Sequence, residues 1–460
     1  MTDVDVVVVG AGISGLVAAF RLQRSGLTVD VLEAAARPGG VIGTERRDGV
    51  LFERGPNSTL DTTPLINELL DELGIRGERA EATAAAATRF IVRGGKLVAL
   101  PTSPGAFLST PAFTVGAKLR LLREPFIAPA APDAEESIAS FVRRRLGTEF
   151  LDYAIDPFVS GVYAGDPERI SVAAAFPRLH ALEQKYGSLI KGQIKGARER
   201  KRAAEKAKNV AGSFSFRAGM QTLTDALART IGRVETGVQV TNIERAADDT
   251  WTIAGTRHGE PFQRRARAVI LAVPAFAAAP LVRGFADAAG QALDAIDYAA
   301  VASVASAYRR SDVEHSLAGF GFLVPKKEGR QILGSLFSSS MFDGRAPADT
   351  VLLTTFVGGR RNPALAAKSD TDLGAMVHAE LASLVGARSE PLWTVITRWS
   401  RAIPQYDLGH LARIAPVEQA EHDLPGLFFC ASYRGGVSVG DCIKSAHAMA
   451  ETVARFLPRR

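Results

Sequence analysis

The chain has 460 residues, 47% of them apolar and 23% charged, with a formal net charge of +6. That length exceeds what one core accommodates, so two or three domains are expected, and the composition excludes a disordered or fibrous chain. Two cysteines, Cys430 and Cys442, give no disulfide framework or metal spacing and read as buried thiols of a reducing compartment. The mild positive charge suits an anionic small molecule or an anionic lipid surface; no nucleic-acid partner is expected.

Met1 is followed by TDVDVVVVG, acidic where a secretory leader would be basic, which sets the expected location as cytoplasmic. Residues 4–10, VDVVVVG, read as a buried parallel strand. GAGISG follows at 10–15, then the helix pattern LVAAFRLQRSG and a second strand, TVDVLE, ending in Glu33 about 20 residues on. In that context the glycines divide the work. Gly10 makes the turn, Gly12 admits a pyrophosphate to the backbone, and Gly15 allows close helix–strand packing. Glu33 is placed for ribose hydroxyls, and phosphates meet the positive helix end. Beyond it, AAARPGG offers Arg37 as a phosphate cation and Gly39-Gly40 as a second close backbone approach.

This E-x(3)-R-x-G-G run resembles the FAD-binding segment of the flavin amine oxidase superfamily, which implies a glutathione-reductase type fold and tightly held FAD. In FERGPNSTL, 52–60, Gly55 and Pro56 make a turn that displays the amide of Asn57, with Ser58 behind it. PLINELLDELG, 64–74, is an amphipathic helix, and RFIVRGGKLVALP, 89–101, a hairpin around Gly94-Gly95. A helix opened by acids is expected from DAEESIASFVRRRLG, followed by a second from TEFLDYA. The run 185–209 is strongly basic and reads as a solvated face or as a contact for anionic headgroups. RVETGVQVTNIER, WTIAG and ARAVILAVP are strands, and the apolar run 268–282 is read as strand, turn and apolar edge, too short for the roughly 18 residues of a membrane span. The tail, 424–456, is a strand, a glycine-rich turn and a long helix starting near Asp441. Backbone N–H groups at 437–439 there would face a flavin pyrimidine oxygen.

DPFVSGVYAGDPERISVAAAFPRL, 156–179, resembles the protoporphyrinogen oxidase signature. So do SFRAGMQTL, GFGFLVPKKEGRQILGSLFSS, TTFVGGRRN and RAIPQYDLGH. The blocks keep their order along essentially the whole chain. The resemblance implies oxidation of protoporphyrinogen IX or coproporphyrinogen III, with dioxygen as acceptor. It implies that Asn57 faces the macrocycle and steadies the developing imine. Arg89 partners a propionate, and Phe320, Leu323, Leu336 and Phe356 sandwich the pyrroles. The cofactor set it implies is Gly10, Ala11, Gly12, Ile13, Ser14, Gly15, Glu33, Ala34, Arg37, Gly40, Val41, Gly55, Pro56, Asn57, Ser58, Val238, Trp399, Val437, Ser438 and Val439. RWSRAIPQY has Trp399 and no cysteine, so FAD is expected to be noncovalent.

The expected architecture is α/β. It has a discontinuous FAD-binding Rossmann-like domain (1–88, 213–275, 396–460), an α+β substrate domain with a mixed sheet (89–101, 276–395), and a helical, membrane-associated subdomain (102–212). Membrane contact would be peripheral, and a homodimer is left open. The rivals are a flavin amine oxidase or carotenoid desaturase, and a non-catalytic binding protein like the GDP-dissociation inhibitors. The choice between the two porphyrinogens is not readable from the chain.

Overall fold

The computed structural model describes residues 4–131, 134–202 and 212–457, with side chains left undescribed at 104 and 196–202. Two seven-stranded sheets organise them.

The first sheet is built on Val4–Val9, parallel to Val29–Glu33 on one side and to Glu260–Leu271 on the other. Val234–Thr236 extends the parallel part, Leu427–Phe429 pairs beside Glu260–Leu271, and Trp251–Arg257 and Val238–Arg245 add an antiparallel edge. Both faces are covered. The helices Ile13–Arg24 and Val439–Phe456 bury Leu16, Phe20, Ile443 and Ala446 against Val6 and Val8. On the other face Ala275–Val282, Asp287–Asp294 and His410–Asp423 pack against Val7, Val9 and Val269. A strand buried on both sides is why this segment reads as an unbroken apolar run. The run 268–282 departs from its reading: the strand stops at Leu271 and Ala275–Val282 is a helix with Pro280 inside it.

The second sheet runs Trp393–Pro404, Tyr298–Arg309, Thr350–Gly358, Ile332–Leu336, Gly321–Leu323, Arg89–Arg93, Lys96–Ala99. It is antiparallel except where Gly321–Leu323 lies parallel to Arg89–Arg93. One face is closed by the helix Asp370–Val385, whose Leu373, Val377 and Leu381 pack on Val304, Leu353 and Val357. By pairing, residues 396–404 belong to this sheet.

Between the sheets' segments lies a helical region with its own core of Phe113, Phe141, Phe150, Val159 and Tyr163. The helix expected to open on the acids begins instead at Ile138, because Ser137 caps it by accepting from the Ser140 N–H at 3.1 Å. Gly147, at φ 99°, ends that stretch. A π-helical turn, Leu151–Ile155, then leads into Asp156–Tyr163. Arg145 and Glu124 are fully buried; Arg145 pairs with Glu124 at 3.2 Å and with Glu183. Glu124 also accepts the Leu189 and Ile190 N–H groups and so caps the helix Leu189–Arg202. The rest of the basic run, 203–209, lies outside the described residues. Among the described residues no helix is long and apolar enough to cross a membrane.

Candidate active site

At the first sheet's strand ends the glycine motif takes the shape its chemistry requires. Gly10 stands at φ 104°, and a Cβ there would lie 2.8 Å from the Ala272 carbonyl. A Cβ on Gly15 would sit 2.0 Å from the Gly10 oxygen, so helix and turn touch through it. A Cβ on Gly12 would meet nothing within 4 Å. Gly12 is therefore not a packing glycine; its open side lies at the N-terminus of Ile13–Arg24, which has no side-chain cap and no acid in its first turn. Free N–H groups, a positive helix end and an unfilled cradle fit a dinucleotide pyrophosphate.

Glu33 faces the same turn. Its carboxylate accepts the Ala11 N–H and the Ala35 N–H, each at 2.8 Å, which fixes its oxygens beside the cradle with lone pairs to spare. Ser14 is buried in the first turn of the helix, and Ala34 is exposed. Val238 is buried at the start of its strand, next to Gly237, whose N–H donates to the Ala35 carbonyl. The Arg37 guanidinium donates to the carbonyls of Pro38, Ile42 and Gly40 at 3.0, 2.7 and 3.1 Å. It staples its own loop, and its charge reaches the cradle through Gly39 and Gly40. Gly40 closes on Gly12, with 3.3 Å between a Cβ there and the Gly12 Cα.

The GPN turn lies beside this loop. A Cβ on Gly55 would stand 2.2 Å from the Val41 carbonyl, so Val41 and Gly55 pass backbone to backbone while the Val41 side chain is 45% exposed. Asn57 is half-buried, and its Nδ2 donates to the Gly55 carbonyl at 3.1 Å. That assigns the amide's nitrogen to the turn and leaves its oxygen as the outward acceptor. Asn57 lines a small cavity with Glu53, Ser338, Met341, Phe342 and Arg345, so the turn reaches the second sheet.

Cross-strand register shows what that sheet presents on the face away from Asp370–Val385. One row reads Arg89, Gly321, Leu336, Thr354, Ala305, Val395. The next reads Ile91, Leu323, Gly334, Phe356, Ser303, Thr397. Leu323, Leu336 and Phe356, nominated from separate sequence blocks, thus share one face with Arg89. Each is only half-buried while most of its strand neighbours are buried, and Phe320, just before this strand, is half-buried as well. Phe320 and Leu336 pack with Met341 and Phe342, whereas Phe356 packs toward Ala164 and Val301. The Arg89 guanidinium lies 5.2 Å from the centroid of the Phe320 ring, and among the described residues it has no carboxylate partner. Enclosure on its inner side lowers its pKa. Trp399 stands on the same face, and its indole donates to the Arg54 carbonyl at 2.9 Å, tying the sheet to the GPN turn.

The joint between the two halves is a buried ion pair that sequence reasoning missed. Arg345 donates to Glu53 at 2.8 Å and to the Ser215 hydroxyl at 2.5 Å, and Glu53 also accepts the Met220 N–H and the Thr44 hydroxyl. Burial raises the Glu53 pKa against the pull of Arg345. No local pattern marks a pair 292 residues apart.

At the tail, the helix begins at Val439, two residues before Asp441. Ser438 is its N-cap, accepting from the Asp441 N–H at 3.2 Å, and Val437 packs toward the helical core. Cys430 and Cys442 are buried, and burial pushes the Cys430 thiol up to about 12.

The glycine cradle at the first sheet's strand ends and the apolar face bearing Arg89 on the second sheet are thus joined through the GPN turn. The chain belongs to the flavin-containing amine oxidoreductase family, whose sequence profile matches residues 13–454. It is 35% identical to a mitochondrial protoporphyrinogen oxidase of Nicotiana tabacum over 98% of this chain and 95% of that one. It is 28% identical to the coproporphyrinogen III oxidase of Bacillus subtilis (strain 168), covering 98% of each. A crystal structure from Exiguobacterium sp. 255-15, provisionally assigned as a protoporphyrinogen oxidase, superposes with a TM-score of 0.81 at 27% identity, covering 98% of this chain and 99% of that one.

Proposed function

We propose that this protein is an FAD-dependent porphyrinogen oxidase of tetrapyrrole biosynthesis, acting on protoporphyrinogen IX or coproporphyrinogen III. The observation that carries the reading is the pair of cross-strand rows that sets Arg89 among Leu323, Leu336 and Phe356, opposite the GPN turn. A tetrapyrrole is a broad apolar disc with carboxylate arms, and this face offers apolar area with one cation at its edge. An amine substrate is a cation and would be repelled by Arg89, which sets the amine oxidase reading aside. Near full-length likeness to porphyrinogen oxidases supports the same conclusion.

When bound, FAD would supply the hydride acceptor for three two-electron oxidations of the bridge carbons, with dioxygen as the final oxidant, reduced to hydrogen peroxide. The chain's own residues position and shield. The open side of Gly12 and the helix end behind it hold the pyrophosphate, and Glu33 takes the ribose hydroxyls. RWSRAIPQY, the region matching that in which amine oxidases tether FAD, carries Trp399 and no cysteine, so FAD would be held noncovalently. Arg89 pairs with a propionate and thereby fixes the rotation of the disc. Phe320, Leu323, Leu336 and Phe356 cover the pyrroles and exclude water. The outward oxygen of Asn57 accepts a pyrrole N–H, which favours the ring as it gains positive charge. No side chain is assigned as general acid or base; each hydride is matched by one proton lost to solvent, two net from pyrrole N–H groups and one from the remaining bridge carbon through imine–enamine tautomerism.

The helical region is proposed to make peripheral membrane contact. Leu108, Val115, Leu119, Leu122, Phe126 and Ile194 are all among the exposed large apolar residues, interleaved with Lys118, Arg120 and Lys191.

The test is anaerobic mixing of the purified yellow protein with each porphyrinogen. Bleaching of the flavin with appearance of porphyrin fluorescence is expected. A flavin that stays oxidised with both substrates sinks the assignment. Asn57→Ala is expected to lower kcat/KM about tenfold, the value of one hydrogen bond to a charged group.

A further inference from the structure

The block RAIPQYDLGH is tied to no step in the function above, yet its Tyr406 and His410 are buried and both hold the backbone of the tail turn. The Tyr406 hydroxyl donates to the Ser432 carbonyl at 2.8 Å and accepts the Gly436 N–H at 2.9 Å. His410 Nε2 lies 3.0 Å from the Tyr433 carbonyl. A carbonyl only accepts, so Nε2 carries the proton, and burial lowers the ring's pKa to about 4, which keeps it neutral. The two rings stack at 4.2 Å with 12° between their planes, so each fixes the other. The turn they hold is tight: Gly435 and Gly436 stand at φ 83° and 118°, and a Cβ on Gly436 would lie 2.7 Å from the Asp441 side chain. Directly after it come Val437 and Ser438, then the helix Val439–Phe456.

We propose that Tyr406 and His410 are positioning residues for the turn 432–436. Through it they set the distance between the N–H groups of 437–439 and the flavin's pyrimidine edge, and so tune how readily the bound flavin is reduced. The inference rests on the reading that 437–439 face that edge. Reduction places negative charge on the pyrimidine side, so N–H groups held close favour the reduced form, and N–H groups on a loosened turn favour it less. Three hydrogen bonds from one short motif, to residues 432, 433 and 436, restrain a loop whose paired glycines otherwise leave it free.

Tyr406→Phe keeps the ring and its stack and removes only the hydroxyl. In the flavin-loaded protein the reduction equilibrium is expected to become roughly tenfold less favourable, the worth of about one buried hydrogen bond. For a two-electron couple that is about 30 mV toward lower potential. The kcat for porphyrinogen should fall with it while KM stays unchanged. His410→Leu should lower the potential likewise, and His410→Gln, whose amide N–H can still reach the Tyr433 carbonyl, should restore it. Wild-type potentials in both Tyr406→Phe and His410→Leu overturn the role. A crystal structure of the flavin-loaded wild type with 437–439 away from the pyrimidine edge overturns the reading beneath it instead, and so separates the two failures.

Discussion

The two large sheets put opposite parts of themselves to use. In the first, both faces are packed with helices, so no side chain of a central strand is spare, and the site is made of backbone at the strand ends. In the second, a single helix covers one face, and the other face offers side chains at alternate positions to a neighbour of different chemistry. The first offers glycines and N–H groups, the second an arginine and hydrocarbon. The contrast predicts that substitutions fail differently in the two halves.

The largest effect lies within the glycine motif. A Cβ on Gly15 collides with the Gly10 carbonyl at 2.0 Å, so Gly15→Val should abolish folding of the first sheet. A Cβ on Gly12 meets no protein atom, so Gly12→Val should fold with an apoprotein Tm close to wild type yet retain little flavin after gel filtration. Equal loss of Tm in both variants would show that Gly12 is a packing glycine after all.

The next effect belongs to the joint. Glu53 and Arg345 are both almost fully buried, so removing one partner strands a charge in the interior. Arg345→Met should cost about 3–5 kcal/mol in urea unfolding, and the double change to Glu53→Met and Arg345→Met should recover much of it. Because the pair bolts the strand Val50–Glu53, and so the GPN turn, to the segment carrying Ser338 and Phe342, turnover in the double variant should stay depressed although stability returns. Recovery of both together would reduce the pair to a stability element.

Smaller again is Arg89→Leu. The side chain is exposed and has no carboxylate partner among the described residues, so Tm should move by less than the equivalent of about 0.5 kcal/mol. Loss of one charged contact to substrate is worth about 1.5–3 kcal/mol, or roughly 10- to 100-fold in kcat/KM, most of it in KM. A large fall in kcat at constant KM would place Arg89 in the chemistry rather than in the grip on a propionate.

How far the chain could be read in advance follows the same division. The glycine turn was legible because its shape is encoded in contiguous spacing: glycines 10, 12 and 15, then Glu33. The set of residues that shares a face of the second sheet was named only through family likeness. Arg89, Leu323, Leu336 and Phe356 come from four strands, and nothing local says that register will align them. Where local pattern was used alone it failed in physically ordinary ways. The run 268–282 hides a strand and a helix, since an apolar stretch buried on all sides has no period to reveal. Glu135 and Glu136 precede a helix without joining it because Ser137 is the better cap. Glu53–Arg345 and the Tyr406–His410 stack were invisible because their meaning lies in partners folded against them.

The helical region sharpens the comparison from outside, because there apolar side chains face solvent instead of a site. Phe126 is 87% exposed, with Leu122 at 67% and Ile194 at 72%. Lys191 lies 6.0 Å from the Phe126 ring and donates to the Pro125 carbonyl at 2.8 Å, so a cation flanks the patch. Side chains so exposed contribute little to folding, and Leu122→Ser with Phe126→Ser should leave Tm and turnover in buffer within error of wild type. Their cost in water is repaid if they enter an interface, and cations beside them favour an anionic one. Wild type should float with phosphatidylglycerol vesicles and the double variant should stay at the bottom of the gradient. If wild type stays there too, the patch is not a membrane face.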